Sequence, residues 1–207
     1  MVYYPLLQMK EMGIRSVLIV SGRGHAGHFL ELLGSGAEFD MNIGYEVQEE
    51  AGGIAQALAL AEDFVGNEDM VVILGDNIFE DDLSGAVQNF RDSDMKAHVF
   101  LKEVDSPQSY GVARFEGDKL VEIIEKPETP PSNYAVTGCY LFRSDVFRFI
   151  RTLSPSARGE LEISSVNDHY VKEGSMSYTL LGKFWGDCGE SIDKMMDVSN
   201  YVMQAKL

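Results

Sequence analysis

Two aspartates in this chain stand where ligand chemistry would want them. Leu74-Gly75-Asp76-Asn77 sets a carboxylate just past the apolar run Val71-Val72-Ile73-Leu74. Open α/β sheets bind ligands outside the carboxyl ends of their strands, so Asp76 is a candidate metal ligand. An aspartate there can equally cap the following turn. Trp185-Gly186-Asp187-Cys188-Gly189 supplies a second carboxylate after a second strand. If both strands end at one cleft, Asp76 and Asp187 could hold one hard cation such as Mg²⁺, which takes oxygen ligands. Spacing alone leaves open whether they meet.

Three further stretches carry polar chemistry. In Gln48-Glu49-Glu50-Ala51-Gly52-Gly53-Ile54 a strand-end amide precedes a glycine pair and a helix start. The Gln48 amide offers both donor and acceptor to a nucleobase edge, and glycine lets backbone approach a ligand closely. The plain alternative is an ordinary turn into a helix. Glu125-Lys126-Pro127 ends a strand on a charge pair. On an open surface such a pair is worth under about 1 kcal/mol. In a cleft, the lysine can hold a phosphate and the glutamate a sugar hydroxyl. Ser156-Ala157-Arg158-Gly159-Glu160-Leu161-Glu162-Ile163 feeds a helix, where its acidic residues would complement the macrodipole.

Gly22-Arg23-Gly24-His25-Ala26-Gly27 matches G-x-G-x-x-G, and Asp40 and Glu46 lie roughly 20 positions on, as a dinucleotide fingerprint requires. Arg23 and His25 are unusual fillers for so tight a turn, so NAD(P) binding through Gly22–Gly27 stands as an alternative only. His25 and His28 share a helical spacing, but two histidines fall short of the three or four ligands zinc wants.

These candidates need elements to position them. Val17–Val20, Ile43–Val47 and Val71–Leu74 read as strands covered on both faces. His28–Leu33 and Ile54–Phe64 carry helical spacing. The alternation predicts an α/β fold with a mixed, mainly parallel central sheet. Strands are predicted at His98–Val104, Gly111–Phe115, Leu120–Glu125, Tyr134–Phe142 and Met176–Leu181. Glu116–Lys119 is a hairpin turn. Helices are predicted at Asp145–Leu153, Glu162–Glu173 and Ile192–Ala205. No linker or repeat divides the chain, so residues 1–207 are expected to form a single domain.

Composition narrows the partners. With 33 acidic against 17 basic residues, the net charge is −16. A nucleic-acid polymer needs a basic face, so none is expected; a nucleotide needs only local cations and N–H groups. No apolar run approaches the roughly 18–20 residues that span a bilayer. The opening residues lack a basic signal-peptide region. Cys139 and Cys188 make no disulfide framework, which predicts reduced thiols and a cytoplasmic setting.

Taken in order, Val2-Tyr3-Tyr4-Pro5-Leu6, Gln48, Gly53–Ala57, Leu74–Phe79, Tyr110-Gly111-Val112, Glu125-Lys126-Pro127, Ser132–Gly138, Ser156–Ile163 and Trp185-Gly186-Asp187 resemble the sugar-1-phosphate nucleotidylyltransferases, and within them the thymidylyl-transferring branch. The set covers essentially the whole chain. The resemblance implies a three-layer, Rossmann-like nucleotidyltransferase fold. It also implies thymidylyl transfer from dTTP to glucose 1-phosphate, giving dTDP-glucose for deoxysugar and cell-surface polysaccharide precursors, and a homo-oligomer. By matching position, Asp76 and Asp187 become the Mg²⁺ ligands and, with Lys126, the catalytic groups. Gln48, Gly53 and Gly75 become nucleotide-binding residues. Tyr110, Gly111, Glu125 and Val136 become the sugar wall, with Lys126 and Arg158 on the sugar-linked phosphate. A uridylyltransferase and a non-catalytic sugar-nucleotide binder are the alternatives within the resemblance.

The resemblance starts only after the family's first strand and its Gly-Gly-x-Gly-Thr-Arg-Leu loop, so Met1 reads as an internal methionine or the edge of a shortened chain. Two expectations follow. Nucleotide transfer by these 207 residues should be slow, and the strands at 17–20 and 71–74 should flank a slot rather than pair.

Overall fold

Apolar strand runs and amphipathic helices alternate along the first half of the chain, then give way to hairpin-connected strands. The computed structural model describes residues 1–205. Its strands are β1 (Ser16–Gly22), β2 (Asn42–Gln48), β3 (Met70–Ile73), β4 (Asn77–Phe79), β5 (Ala97–Glu103), β6 (Gly111–Glu116), β7 (Lys119–Glu125), β8 (Tyr134–Phe142), β9 (Met176–Leu180) and β10 (Trp185–Asp187). Its helices are α1 (Tyr3–Glu11), α2 (Ala26–Leu33), α3 (Ile54–Ala59), α4 (Glu62–Val65), α5 (Ser84–Arg91), α6 (Val146–Ile150), α7 (Ile163–Glu173) and α8 (Ile192–Ala205).

The main sheet runs β7-β6-β8-β5-β9, with β3 added beside β8. Strand periodicity sorts its side chains into two cores. Val136, Tyr140 and Phe142 of β8 and Val99 and Leu101 of β5 face α3, α6 and α7. Ala135, Cys139 and Leu141 of β8 and Phe100 of β5 pack with residues of α1, α2 and α5 instead. The result is three layers, with β5 and β8 buried on both faces, as their near-continuous apolar runs require.

β8 is long, and one of its edges is shared. β5 pairs along the opposite edge. On the shared edge, β6 pairs at Ala135 and β3 pairs from Cys139 to Phe142. Between them, at residues 136–138, the edge changes partner. Partner switches of this kind open crevices in sheets. Leu74, just past β3, still donates its N–H to the Gly138 carbonyl, so the Asp76 turn is delivered to that crevice. β6 begins there at Gly111, and β7 ends there at Glu125, its cross-strand partner.

The α/β class and the mixed sheet stand. The share of antiparallel pairing is larger than the sequence pattern implied: β1–β2 and β5–β9 are parallel, while the other five pairings are antiparallel. Short hairpins in the second half cause this, since parallel neighbours need long crossovers. The helix read at 54–64 is two helices. Leu60 and Ala61 bond to the carbonyls three residues back, tightening and closing α3 before α4 starts. α1, α5 and the short β4 had no clear sequence signal.

The slot is present. Among the described residues β1 pairs with β2 alone and β3 with β8 alone. A cavity of about 520 Å³ lies between them, lined by Val17, Leu18 and Val20 and by Val71, Ile73 and Leu74. Along β1 only Val17 is buried, against the expectation of cover on both faces. The covering layer is incomplete beside the slot, so apolar residues there stay half-exposed.

Candidate active site

The crevice beside β8 gathers most of the polar groups singled out in the sequence. Tyr110, Gly111, Glu125, Lys126, Val136, Arg158 and Asp187 line one cavity of about 290 Å³. A second cavity adjoins it and shares Tyr110, Lys126 and Asp187, adding Asp76.

Asp76 and Asp187 are brought together by β10 pairing with β4, which sets Asp187 opposite Asn77. The Cys188 N–H donates to the Asp76 carbonyl (2.9 Å) and the Gly189 N–H to the Asp187 carboxylate (2.9 Å). Both carboxylates flank Gly189, where a Cβ would fall 2.1 Å from Asp76 Oδ2 and 3.4 Å from Asp187 Oδ1. Burial pushes the Asp187 carboxyl above its ordinary pKa, and the nearby Asp76 and Glu190 charges add to the push. No third aspartate, glutamate, histidine or cysteine completes a metal-binding group among the described residues. A hard cation here would therefore draw its remaining ligands from water and substrate phosphate, as Mg²⁺ commonly does.

Asn77 holds this end of the site in shape. It is 1% exposed. Its Nδ2 donates to Asp76 Oδ1 (2.8 Å). Its Oδ1 accepts from the Trp185 indole (2.7 Å) and the Gly138 N–H (3.0 Å). A Cβ on Gly138 would come within 2.6 Å of the Asn77 amide, so only glycine lets β8 approach. Tyr110 packs edge-on against Trp185 and donates its hydroxyl to Glu190. Burial first, then Glu190, pushes the Tyr110 hydroxyl pKa up, so it stays protonated.

Lys126 has φ +40°, a left-handed conformation rare for a side-chain-bearing residue and stranger still before proline. Its N–H donates to the Tyr110 carbonyl (3.0 Å), which fixes the bend. Strain of this kind is held where the surroundings over-determine it, commonly at ligand sites. Arg158 is already engaged. Its guanidinium contacts Glu125 (3.3 Å), Glu160 (3.4 Å) and Glu162 (2.7 Å). Burial disfavours the Glu162 charge, but hydrogen bonds from Arg158 and Ser156 outweigh it and lower that pKa. Glu162 thus serves as an anchor for Arg158 rather than only as a complement to the α7 dipole. A phosphate at Arg158 must compete with Glu125 and Glu160.

Gln48, Gly53 and Gly75 lie outside these two cavities. Gln48 Nε2 donates to Gln56 Oε1 (2.7 Å) and to the Gly53 carbonyl (3.1 Å). Gly53 has φ +93°, and a Cβ there would sit 2.5 Å from the Leu161 carbonyl. Its freedom docks the 52–53 turn onto the loop that carries Arg158. Gly75 faces the slot cavity. The Gly22–Gly27 turn does join a strand to a helix, with Gly24 at φ +87°. The rings of His25 and His28 lie 6.3 Å apart.

Sequence reasoning missed Tyr140, Ser164 and Asn167, which also line the first cavity. Ser164 and Asn167 are 4% and 1% exposed, and the Ser164 hydroxyl and both Asn167 amide atoms have no hydrogen-bond partner among the described residues. One signal was available. Ile163, Ser164, Val166, Asn167, Tyr170 and Val171 form one buried stripe at helical spacing, and Ser164 and Asn167 are its polar exceptions.

A family comparison decides the class: the model of the family described as nucleotidyl transferase matches residues 1–205. The chain belongs to the nucleotidyl transferase family. It is 40% identical over 202 residues to a glucose-1-phosphate thymidylyltransferase of Actinoplanes sp., covering 96% of this chain and 66% of the relative. It is 39% identical over 211 residues to the protein of that name from Mycolicibacterium smegmatis, covering 100% and 73%. The chain thus spans about two thirds of the length of such curated relatives. A crystal structure from Bacillus anthracis, assigned as a glucose-1-phosphate thymidylyltransferase and holding sucrose, superposes with TM-score 0.90 at 46% identity, covering 95% of this chain and 79% of that one. A UDP-glucose pyrophosphorylase bound to UDP-glucose shares the fold, with TM-score 0.84 at 23% identity, covering 98% and 86%. Nucleotidyl transferase membership fits Gly22–Gly27 as a strand-to-helix turn of this fold and demotes the dinucleotide alternative.

Proposed function

We propose that this site transfers a thymidylyl group from dTTP to glucose 1-phosphate, giving dTDP-glucose and pyrophosphate. One observation carries the reading: Glu125, Lys126, Val136 and Arg158 line a single cavity that adjoins the Asp76–Asp187 pair. Relatives named for that reaction, 36–40% identical, support dTTP over UTP.

The chemistry is displacement at phosphorus, in which positioning and charge neutralisation do most of the catalysis. Lys126 and Arg158 hold the phosphate of the sugar, and its oxygen attacks the α-phosphorus. Glu125 accepts hydrogen bonds from sugar hydroxyls opposite Gly111. Val136 and Tyr110 wall the ring and exclude water. Gln48, Gly53 and Gly75 are assigned to the nucleotide, where rearrangement of the Gln48–Gln56 contact would present the amide to the base. Nucleotidyl transferases generally use a divalent metal. Asp76 and Asp187 fit such an ion, because two convergent carboxylates, one with its charge disfavoured by burial, gain from a cation between them. Mg²⁺ bound there would neutralise charge on the triphosphate oxygens. A cytoplasmic setting and self-association complete the reading. Exposed Leu7 of α1 and Met196 and Met203 of α8 support the association.

The test is product formation from dTTP, glucose 1-phosphate and Mg²⁺, followed by mass spectrometry. The expected result is dTDP-glucose formed above the protein-free rate. Asp187→Asn should reduce its formation by about 100-fold, as loss of one charge-stabilising group does. Failure to form dTDP-glucose above the protein-free rate would overturn the proposal.

A further inference from the structure

α7 closes one side of the sugar-phosphate cavity with a side chain that no role above absorbs. Asn167 is 1% exposed, lines the cavity, and has neither amide oxygen nor amide nitrogen bonded among the described residues. Buried polar side chains are nearly always paired, so an amide left unpaired at a cavity wall calls for a partner inside the cavity. Packing alone does not account for it. Its stripe neighbours Ile163, Val166 and Tyr170 are core residues, while Ser164, one turn back, is buried with an unbonded hydroxyl at the same cavity wall. An aliphatic side chain at 167 would fill the position without exposing a polar group to it.

The chemistry of the other wall groups says what that partner is. Lys126 and Arg158 only donate, and ionised Glu125 only accepts. A carboxamide does both, so it suits a neutral hydroxyl, which also donates and accepts. It is a weak partner for a phosphate that has two cations nearby.

We propose that Asn167 is a specificity-determining residue: its carboxamide reads a ring hydroxyl of the sugar phosphate bound in the cavity. The assignment rests on the sugar-phosphate reading above. It makes Asn167 a discriminator between sugars that carry that hydroxyl and sugars that lack it.

Calorimetric titration with glucose 1-phosphate and its 2-, 3-, 4- and 6-deoxy analogues tests it, using the 207-residue chain and its Asn167→Leu and Asn167→Asp variants. Thermal unfolding of each variant checks folding, and the nearly isosteric Asn167→Asp carries the test if Asn167→Leu does not fold. In the wild-type protein at least one deoxy analogue should bind roughly tenfold more weakly than the parent. Asn167→Leu should bind the parent and that analogue alike, so the discrimination disappears for one position of the ring only. A purely structural role would instead weaken parent and analogues by one common factor, and that result overturns the assignment while leaving the cavity's ligand in place. Unchanged discrimination in both variants also overturns it. A wild-type protein that binds neither parent nor analogues removes the sugar-phosphate reading and the assignment with it.

Discussion

Asn77 Oδ1 accepts two hydrogen bonds at once, from the Trp185 indole and the Gly138 backbone, while Nδ2 holds the Asp76 carboxylate. Removing the amide leaves two buried donors without an acceptor, each costing about 1–3 kcal/mol. Asn77→Ala is therefore expected to lower unfolding stability by roughly 2–5 kcal/mol. Denaturant unfolding measures this, and a change under about 0.5 kcal/mol, the level of a neutral surface substitution, would contradict the hub. The contrast with Asn167 is instructive. Both are buried asparagines beside the same cavity, but one has both amide atoms bonded to protein and the other has neither among the described residues. Sequence alone does not separate them. Asn77 stood out through its neighbour Asp76, whereas Asn167 is embedded in a helix stripe that reads as core. Residues gathered by strand ends, such as Glu125 and Lys126, were legible because strand termini and charge pairs mark themselves. Residues contributed by a helix face were not, because their exposure to the cavity depends on which strand edge opens beside them.

At the scale of elements, β1 and β3 are the informative pair. Each presents one edge to a neighbour and the other to the 520 Å³ cavity. Their apolar runs were readable as strands, and the failure of 17–20 to pair with 71–74 was expected from the resemblance. Their half-exposure was not, since a continuous apolar run ordinarily means cover on both faces. Hydrogen exchange should report the difference. Amides of residues 17–20 and 71–73 that point into the slot lack ladder bonds and should exchange far faster than those of β5 and β8, which are bonded on both edges. Equal protection across all four strands would contradict an open slot. The split of 54–64 into α3 and α4 was illegible for a different reason. No proline or glycine interrupts Ile54–Val65, and the break comes from the last turn of α3 tightening.

Across the whole molecule a net charge of −16 opposes any anionic ligand, so binding must come from short-range groups in the cavity. Lys126 is the group best placed to supply it, because Arg158 is already shared among three glutamates. No helix among the described residues is long and apolar enough to cross a membrane. The central claim is that this cavity binds a sugar 1-phosphate through Lys126. The direct measurement is calorimetric titration of the wild-type chain and Lys126→Ala with glucose 1-phosphate. Loss of one charge-assisted hydrogen bond, about 1.5–3 kcal/mol, predicts an affinity lower by roughly 10- to 150-fold in the variant. Equal affinities for the two proteins would contradict the account.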